Sequence, residues 1–252
     1  MLAPIDLTDA QASSPLGRTS PLVKLGVAIT WLIGLALVRE PGPPLVLAAL
    51  AIVAGLSIGR VTARNLVRGL APLLLAATSI ALANLLWSSS NGDPTAVELA
   101  RIGPFRITRE AADAAVALAA RVVSIVSVGA VFAQTTDPTR LVDALVQQAR
   151  VPERFAYGAL AAYQAVPGLA EDLVTLRQAR RVRGLRGWHP RLLLGLLVRA
   201  LRHADQLALA MDARAFGSGP RTTFRPIRWG WLDAAVGLGG LAALWIALAI
   251  RF

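Results

Sequence analysis

EDLVTLRQARRVRGLRGWHPRLLLGLLVRALRHADQLALAMDARAFG occupies residues 171–217, and its two punctuated helical patterns organise the reading of the whole chain. The first half runs at helical period into an arginine burst: Arg177, Arg180, Arg181, Arg183 and Arg186. Gly184 and Gly187 stop that helix and Pro190 starts the next, because glycine suits the residue after a helix end and proline suits the first turn. The second helix is predicted to run to about Ala215. Each helix thus finishes on a small or apolar residue, an arginine and a small residue: Val182-Arg183-Gly184 and Ala213-Arg214-Ala215. The carbonyl end of a helix carries partial negative charge, so an arginine is tolerated there and still projects outward. Small flanks leave the guanidinium uncrowded, and its flat fork of five donors suits a carboxylate on an approaching protein surface. Either tip alone is also what an ordinary dipole-complementing cap looks like. The repetition on successive helices weakens that plainer reading.

The stretch resembles the coupling region of the transmembrane T components of energy-coupling factor (ECF) transporters, the CbiQ/EcfT family. Members of that family carry two Ala-Arg-Gly-type motifs at the ends of two cytoplasmic coupling helices. Here these fall on Val182, Arg183 and Gly184, and on Ala213, Arg214 and Ala215; valine replaces the first alanine, alanine replaces the second glycine, and both arginines remain. Residues 210–217, followed by Arg221-Thr222, make the more specific match. A lead-in of Ser14-Pro15-Leu16 and Pro21-x-x-Lys24, which also serves as a basic flank anchoring a span, extends the likeness towards the N-terminus.

Composition bounds the rest. Across 252 residues, 55% are hydrophobic and the mean hydropathy is +0.57, which indicates a helical membrane protein rather than a water-soluble domain. Cysteine is absent, so neither disulfides nor thiolate metal sites arise. The net charge of +11 raises the question of nucleic acid, but its distribution answers otherwise. Residues 135–228 hold 15 arginines against 7 acidic residues, a difference of +8, so most of the excess lies in one segment. A basic block beside membrane spans marks the cytoplasmic side and favours anionic lipid.

Along the chain, residues 1–13 are polar and show no cleavable signal peptide. Residues 22–38, 44–58, 70–87, 111–134 and 229–250 are expected to be spans, with Trp87, Trp229 and Trp231 as interface anchors. A tight turn at 39–43 joins the first two. Arg60, Arg64 and Arg68 recur every four residues and are expected on one face of a short interfacial helix. The 88–108 loop is rich in turn residues and nearly charge-balanced, which suits the outside; Gly103-Pro104, between Val97, Leu99, Ile102, Phe105 and Ile107, allows a small hairpin without compelling one. Arg121 lies inside the fourth span, where an arginine needs a partner; Asp113 is too far along the same helix, which leaves another helix as its anchor. Thr135-Thr136 follows that span, as in the family. Asp137-Pro138 opens an amphipathic helix that Pro152 is expected to end, and the apolar run 155–169, containing Pro167, is too short to span and merges into the arginine-tipped helix. Gln164 stands where the family commonly has arginine.

In the second coupling helix a polar stripe of Arg191, Gly195, Arg199, Arg202 and Gln206 is surrounded by leucines. A helix this apolar cannot lie in water uncovered. Its central charges, Arg199, Arg202, His203 and Asp205, argue against a span, so it is expected along the membrane surface. The expected architecture is an all-α integral membrane protein: four spans in 1–134, a cytoplasmic or interfacial coupling domain in 135–228 and a last span in 229–252. Arginine bias sets the N-terminus and coupling region inside, and the C-terminus outside.

Catalytic chemistry is missing. His189 and His203 are the only histidines, too few and too far apart for a metal site, and there is no Walker loop, acidic magnesium cluster or nucleophile with a nearby base. The resemblance implies a non-catalytic scaffold in the bacterial cell membrane. Arg183 and Arg214 would pair with acidic residues on two ABC ATPase subunits, identical or different, which bind ATP and Mg; this chain would hold no cofactor. Leu192, Leu193, Leu196 and Leu197 would face a separate S component that selects a vitamin or transition-metal ion. Two other readings compete. The permease subunit of an ordinary ABC importer would carry a single Glu-Ala-Ala-type coupling loop, and a self-contained secondary carrier would carry paired ionisable groups at midplane.

Overall fold

The computed structural model describes residues 11, 13–38, 40–93, 96–102, 105–185, 187, 189–219 and 222–249. The expectations that fell on residues 1–10, Arg39, Gly103-Pro104, Arg186, Arg221 and 250–252 lie outside the described residues. The chain divides into two compact units, and among the described residues one comprises 138–227 while the other comprises the flanking segments.

The flanking segments build the apolar unit. A short α1 (Pro15–Arg18) leads into α2 (Pro21–Leu37), α3 (Gly42–Ser57), α4 (Ala63–Trp87), α5 (Arg109–Thr135) and, after the second unit, α9 (Trp231–Ala249). Helices α4, α5 and α9 are long and apolar enough to cross a membrane; α2 and α3, at 17 and 16 residues, are shorter apolar helices. Their outward faces carry bare hydrophobes, Ile33 at 60%, Leu75 at 74% and Leu238 at 69% exposure, an arrangement suited to lipid and not to water.

Small residues let these helices approach closely, as packing without a hydrophobic drive between helices requires. A Cβ added at Gly240 of α9 would meet Val27 of α2 at 2.5 Å, and one at Gly55 of α3 would meet Val131 of α5 at 2.8 Å. Trp31 adds a polar stitch by donating Nε1–H to the Gly240 carbonyl at 2.7 Å. The core gathers Trp31, Leu35, Leu47, Ala51, Val128 and Leu244.

Helix ends are tied by buried polar groups. Lys24 donates Nζ to the Thr135 carbonyl at 2.6 Å, meeting the partial negative end of α5. Lys24 is buried, 7% exposed, and ties the first turn of α2 to the end of α5. Asp233, also buried, accepts from the backbone N–H of Ser20 at 2.6 Å and of Gly230 at 2.8 Å. The starts of α2 and α9 and the end of α5 thus share one end of this unit, and Gly59, just past α3, approaches Thr135 there too. Arg121 donates to the carbonyl of Val38, the C-cap of α2, so its partner is on another helix as expected.

Two boundaries differ from expectation. Arg60, Arg64 and Arg68 do not share a short helix: Arg60 takes a left-handed φ of 50° just after α3, whereas Arg64 and Arg68 begin the 25-residue α4. Pro152 does not end the helix before it. That helix, α6 (Pro138–Gln147), stops earlier, with Arg150 at φ 56°, and Pro152 caps the start of the next. Between α4 and α5 the hairpin does form, β1 (Glu98–Ile102) against β2 (Phe105–Thr108), antiparallel with Arg101 opposite Arg106. Asn91 clasps it: its Oδ1 accepts from the Thr108 N–H and hydroxyl, each at 3.1 Å, and its Nδ2 donates to the Leu85 carbonyl.

The second unit is α6, α7 (Glu153–Val182) and α8 (Arg191–Ala213) with the segment that follows. Pro167 lies inside the continuous 30-residue α7, as the merging apolar run suggested.

Candidate functional site

Both arginine tips have the same backbone. At the first, Arg183 is the C-cap of α7 and Gly184 follows at φ +73°. The Leu185 N–H donates to the Arg180 carbonyl and the Gly184 N–H to the Arg181 carbonyl, each at 3.0 Å. At the second, Arg214 is the C-cap of α8 and Ala215 follows at φ +53°. The Phe216 N–H donates to Met211 at 3.0 Å and the Ala215 N–H to Asp212 at 2.9 Å. This paired bonding, six residues to one and five to two, is the Schellman motif. Glycine in an Ala-Arg-Gly tip is thus explained by the left-handed turn beyond the cap, before any role in docking is invoked. Ala215 takes that turn with a Cβ, at a cost of roughly 1–2 kcal/mol. Val182 is 89% exposed, and Arg183, Gly184, Ala213, Arg214 and Ala215 are all exposed.

Helices α7 and α8 pair antiparallel. Gly195 of α8 sits against Leu176 of α7, where an added Cβ would lie 3.5 Å from Cδ1. Four residues further along α8, and four back along α7, Arg199 pairs with Asp172 at 3.1 Å. Beyond the end of α8, Phe216 meets the ring of Tyr157, edge to face, with centroids 6.3 Å apart. The tips therefore stand at opposite ends of the pair. From Tyr157 to Arg183 is 26 residues, which at 1.5 Å each is ~39 Å of helix.

Polar and apolar faces of α8 are disposed unlike those of a water-soluble hairpin. From the polar stripe, Gly195 and Arg199 turn towards α7, whereas Leu193, Leu194, Leu197 and Leu201 are 51–62% exposed. Of the four leucines proposed to face a partner, Leu193 and Leu197 are exposed and Leu196 is partly so. Leu192 is only 4% exposed and belongs to the unit's own packing.

The sequence reading missed what holds the second tip. Asp143 on α6 is buried, 7% exposed, and accepts the Tyr157 hydroxyl at 2.8 Å. Burial, reinforced by that hydrogen bond and the carboxylate's charge, pushes the Tyr157 phenol up to about 12. Arg154 donates Nη2 to the Gly217 carbonyl at 3.3 Å, and Gly217, at φ +75°, leaves the room that its side chain fills. Gln147 secures the returning segment, donating to the Arg225 carbonyl at 3.0 Å and accepting from the Ile227 N–H at 2.9 Å. The available signal was an aspartate amid the apolar stripe of α6, next to Val142.

Residues 12–224 match the CbiQ family, described as cobalt transport protein. The chain belongs to the CbiQ/EcfT family. Its relatives include the energy-coupling factor transporter transmembrane protein EcfT of Heliobacterium modesticaldum, 30% identical over 88% of each chain. The EcfT of Exiguobacterium sibiricum is 28% identical over 77% of each. A putative ABC transporter ATP-binding protein of Bifidobacterium longum is 25% identical over 86% of this chain but only 29% of its own length. Family membership makes this chain a membrane subunit of an ECF-type transporter, with apolar helices suited to a multi-pass position in the cell membrane.

Proposed function

We propose that the chain is the coupling scaffold of an ATP-driven ECF importer. Val182, Arg183 and Gly184 would dock on one ABC ATPase subunit and Ala213, Arg214 and Ala215 on another, identical or different. The observation that carries this is the pair of Schellman tips at opposite ends of one antiparallel helix pair, each presenting an exposed arginine at its C-cap. Two grooves that move apart and together need two rigid contacts on one body, and this geometry supplies them. The likeness to a longer protein named as ATP-binding supports ATPase partners.

In this reading ATP and Mg belong to the partners, and the chain is non-catalytic and without a cofactor of its own. Leu193, Leu196 and Leu197 would meet the membrane-embedded S component, which selects the vitamin or transition-metal cargo; Leu192, being buried, drops out of that face. Five spans follow from α2, α3, α4, α5 and α9, the two short ones tilting little or thinning the bilayer. Helix ends collected around Ser20, Lys24, Gly59, Thr135 and Asp233 support an inside N-terminus and coupling domain with an outside C-terminus.

The test is affinity co-purification from native membranes with Arg183→Glu, Arg214→Glu and the double variant. ABC ATPases should accompany the wild type, diminish in each single variant and vanish in the double variant at equal membrane abundance. Undiminished recovery in the double variant would reduce both arginines to helix caps, and recovery of no ATPase even with the wild type would favour a self-contained carrier.

A further inference from the structure

Near the first tip, but on a different face of α7, Arg177, Arg180 and Arg181 line a half-open cavity of about 210 Å³ together with Leu185, Gly187 and Leu192. Spacings of three and four residues put the arginines on one face. At 100° per residue, Arg183 lies about 120° round the helix from the middle of that face. Among the described residues none of the three guanidiniums has a hydrogen-bond or ion-pair partner, and Arg180 Nε is buried with no acceptor. The nearest carboxylates along α7 are Glu171 and Asp172, and Asp172 is held by Arg199. Three like charges around one cavity, one of them partly desolvated, call for an anion.

The donor set identifies its chemistry. Three arginines lining one small volume carry more donors than a single carboxylate can accept, whereas a phosphate group offers several oxygens and matches guanidinium two bonds at a time. Leu185, which lines the cavity, is 53% exposed and gives it an apolar edge. We propose that this cavity binds a phosphate group, delivered as the headgroup of an anionic phospholipid whose acyl chains leave the cavity past Leu185. The site is separate from the ATPase contacts proposed above and does not depend on them.

The experiment reconstitutes the full chain into nanodiscs of phosphatidylcholine, alone or mixed with phosphatidylglycerol. Phosphatidylglycerol retained on the protein after detergent release is counted by native mass spectrometry. Wild type and the charge-matched Arg60→Gln/Arg64→Gln/Arg68→Gln variant should retain it, and Arg177→Gln/Arg180→Gln/Arg181→Gln should hold it at least about tenfold more weakly. Arg177→Gln and Arg181→Gln alone, both at exposed positions, should each weaken it measurably, which covers the case in which the triple variant misfolds. Inorganic phosphate titrated calorimetrically into phosphatidylcholine discs separates the sources: no heat supports a headgroup, and heat that the triple variant abolishes supports the phosphate site with a soluble ligand. Equal phosphatidylglycerol retention by wild type, triple and single variants, with no phosphate heat, would overturn the proposal. So would unchanged lipid retention with loss of co-purifying ATPases, which would give the cavity to a partner's carboxylate. Because Arg183→Glu/Arg214→Glu should lose ATPases yet keep the lipid, the two assignments fail separately.

Discussion

Exchanging glycine and alanine between the two tips tests whether the arginine motifs are backbone devices. Ala215→Gly removes a Cβ from a residue held at φ +53°. The relief is about 1–2 kcal/mol, offset by about 0.4–1 kcal/mol for the greater freedom of glycine in the unfolded chain. The net is about 0.5–1 kcal/mol of added stability for the last turn of α8. The converse, Gly184→Ala at φ +73°, meets no atom within 4 Å of the new Cβ, so it isolates the dihedral term and should loosen the end of α7 by a similar amount. Amide hydrogen exchange resolved at the tips reads this directly, because helix ends open by local fraying. The Ala215 and Phe216 amides should exchange about two- to fivefold more slowly in Ala215→Gly, and the Gly184 and Leu185 amides faster by the same factor in Gly184→Ala. If Ala215→Gly left exchange unchanged or accelerated it, the argument that a left-handed turn accounts for the third motif position would be wrong.

Other perturbations probe the supports. With Tyr163→Phe leaving Tyr157 the only tyrosine, tyrosinate absorbance should rise at about pH 12 rather than the ordinary 10.0, and Asp143→Asn should bring the transition down. Since the folded value lies above the unfolded one, the stability from this contact is complete below pH 10 and disappears as pH rises through 12. Asp233→Ala strips the acceptor from two backbone N–H groups and should cost about 1–3 kcal/mol, read as a lower thermal midpoint in detergent; Asp233→Asn should recover part of it. Gly240→Ala forces a methyl against the stiff, β-branched Val27 and should cost about 1–3 kcal/mol in the same assay.

Helix identity was legible wherever the apolar run was long or its end was marked. The α7 and α8 termini were readable from Gly184, Pro190 and the Arg214 tip, and the apolar helices from largely apolar runs of 15 to 24 residues. Four-residue arginine spacing misled at 60–68, because periodicity cannot detect a left-handed residue that breaks the chain direction at Arg60. Pro152 misled for a related reason: proline marks a boundary but not which side of it the helix lies on. The groups that hold the site together were not legible. Asp143 and Tyr157, like Lys24 and Thr135 or Ser20 and Asp233, meet only once the chain has folded, and each alone resembles an ordinary surface residue. Leucine counting also overstated the outward face of α8, since Leu192 faces inwards while its neighbour Leu193 does not.

Closure of the α7/α8 pair at both ends has a consequence for how this stretch tolerates change in length. Losing one residue between Tyr157 and Leu176 would draw the first tip in by about 1.5 Å and swing it about 100° round the helix axis relative to the clamp at Phe216. Seven lost residues would leave it nearly in phase but about 10 Å short. The interval between the two arginines is therefore a gauge set by residue number, one that forgives many replacements of side chain and almost no insertion or deletion.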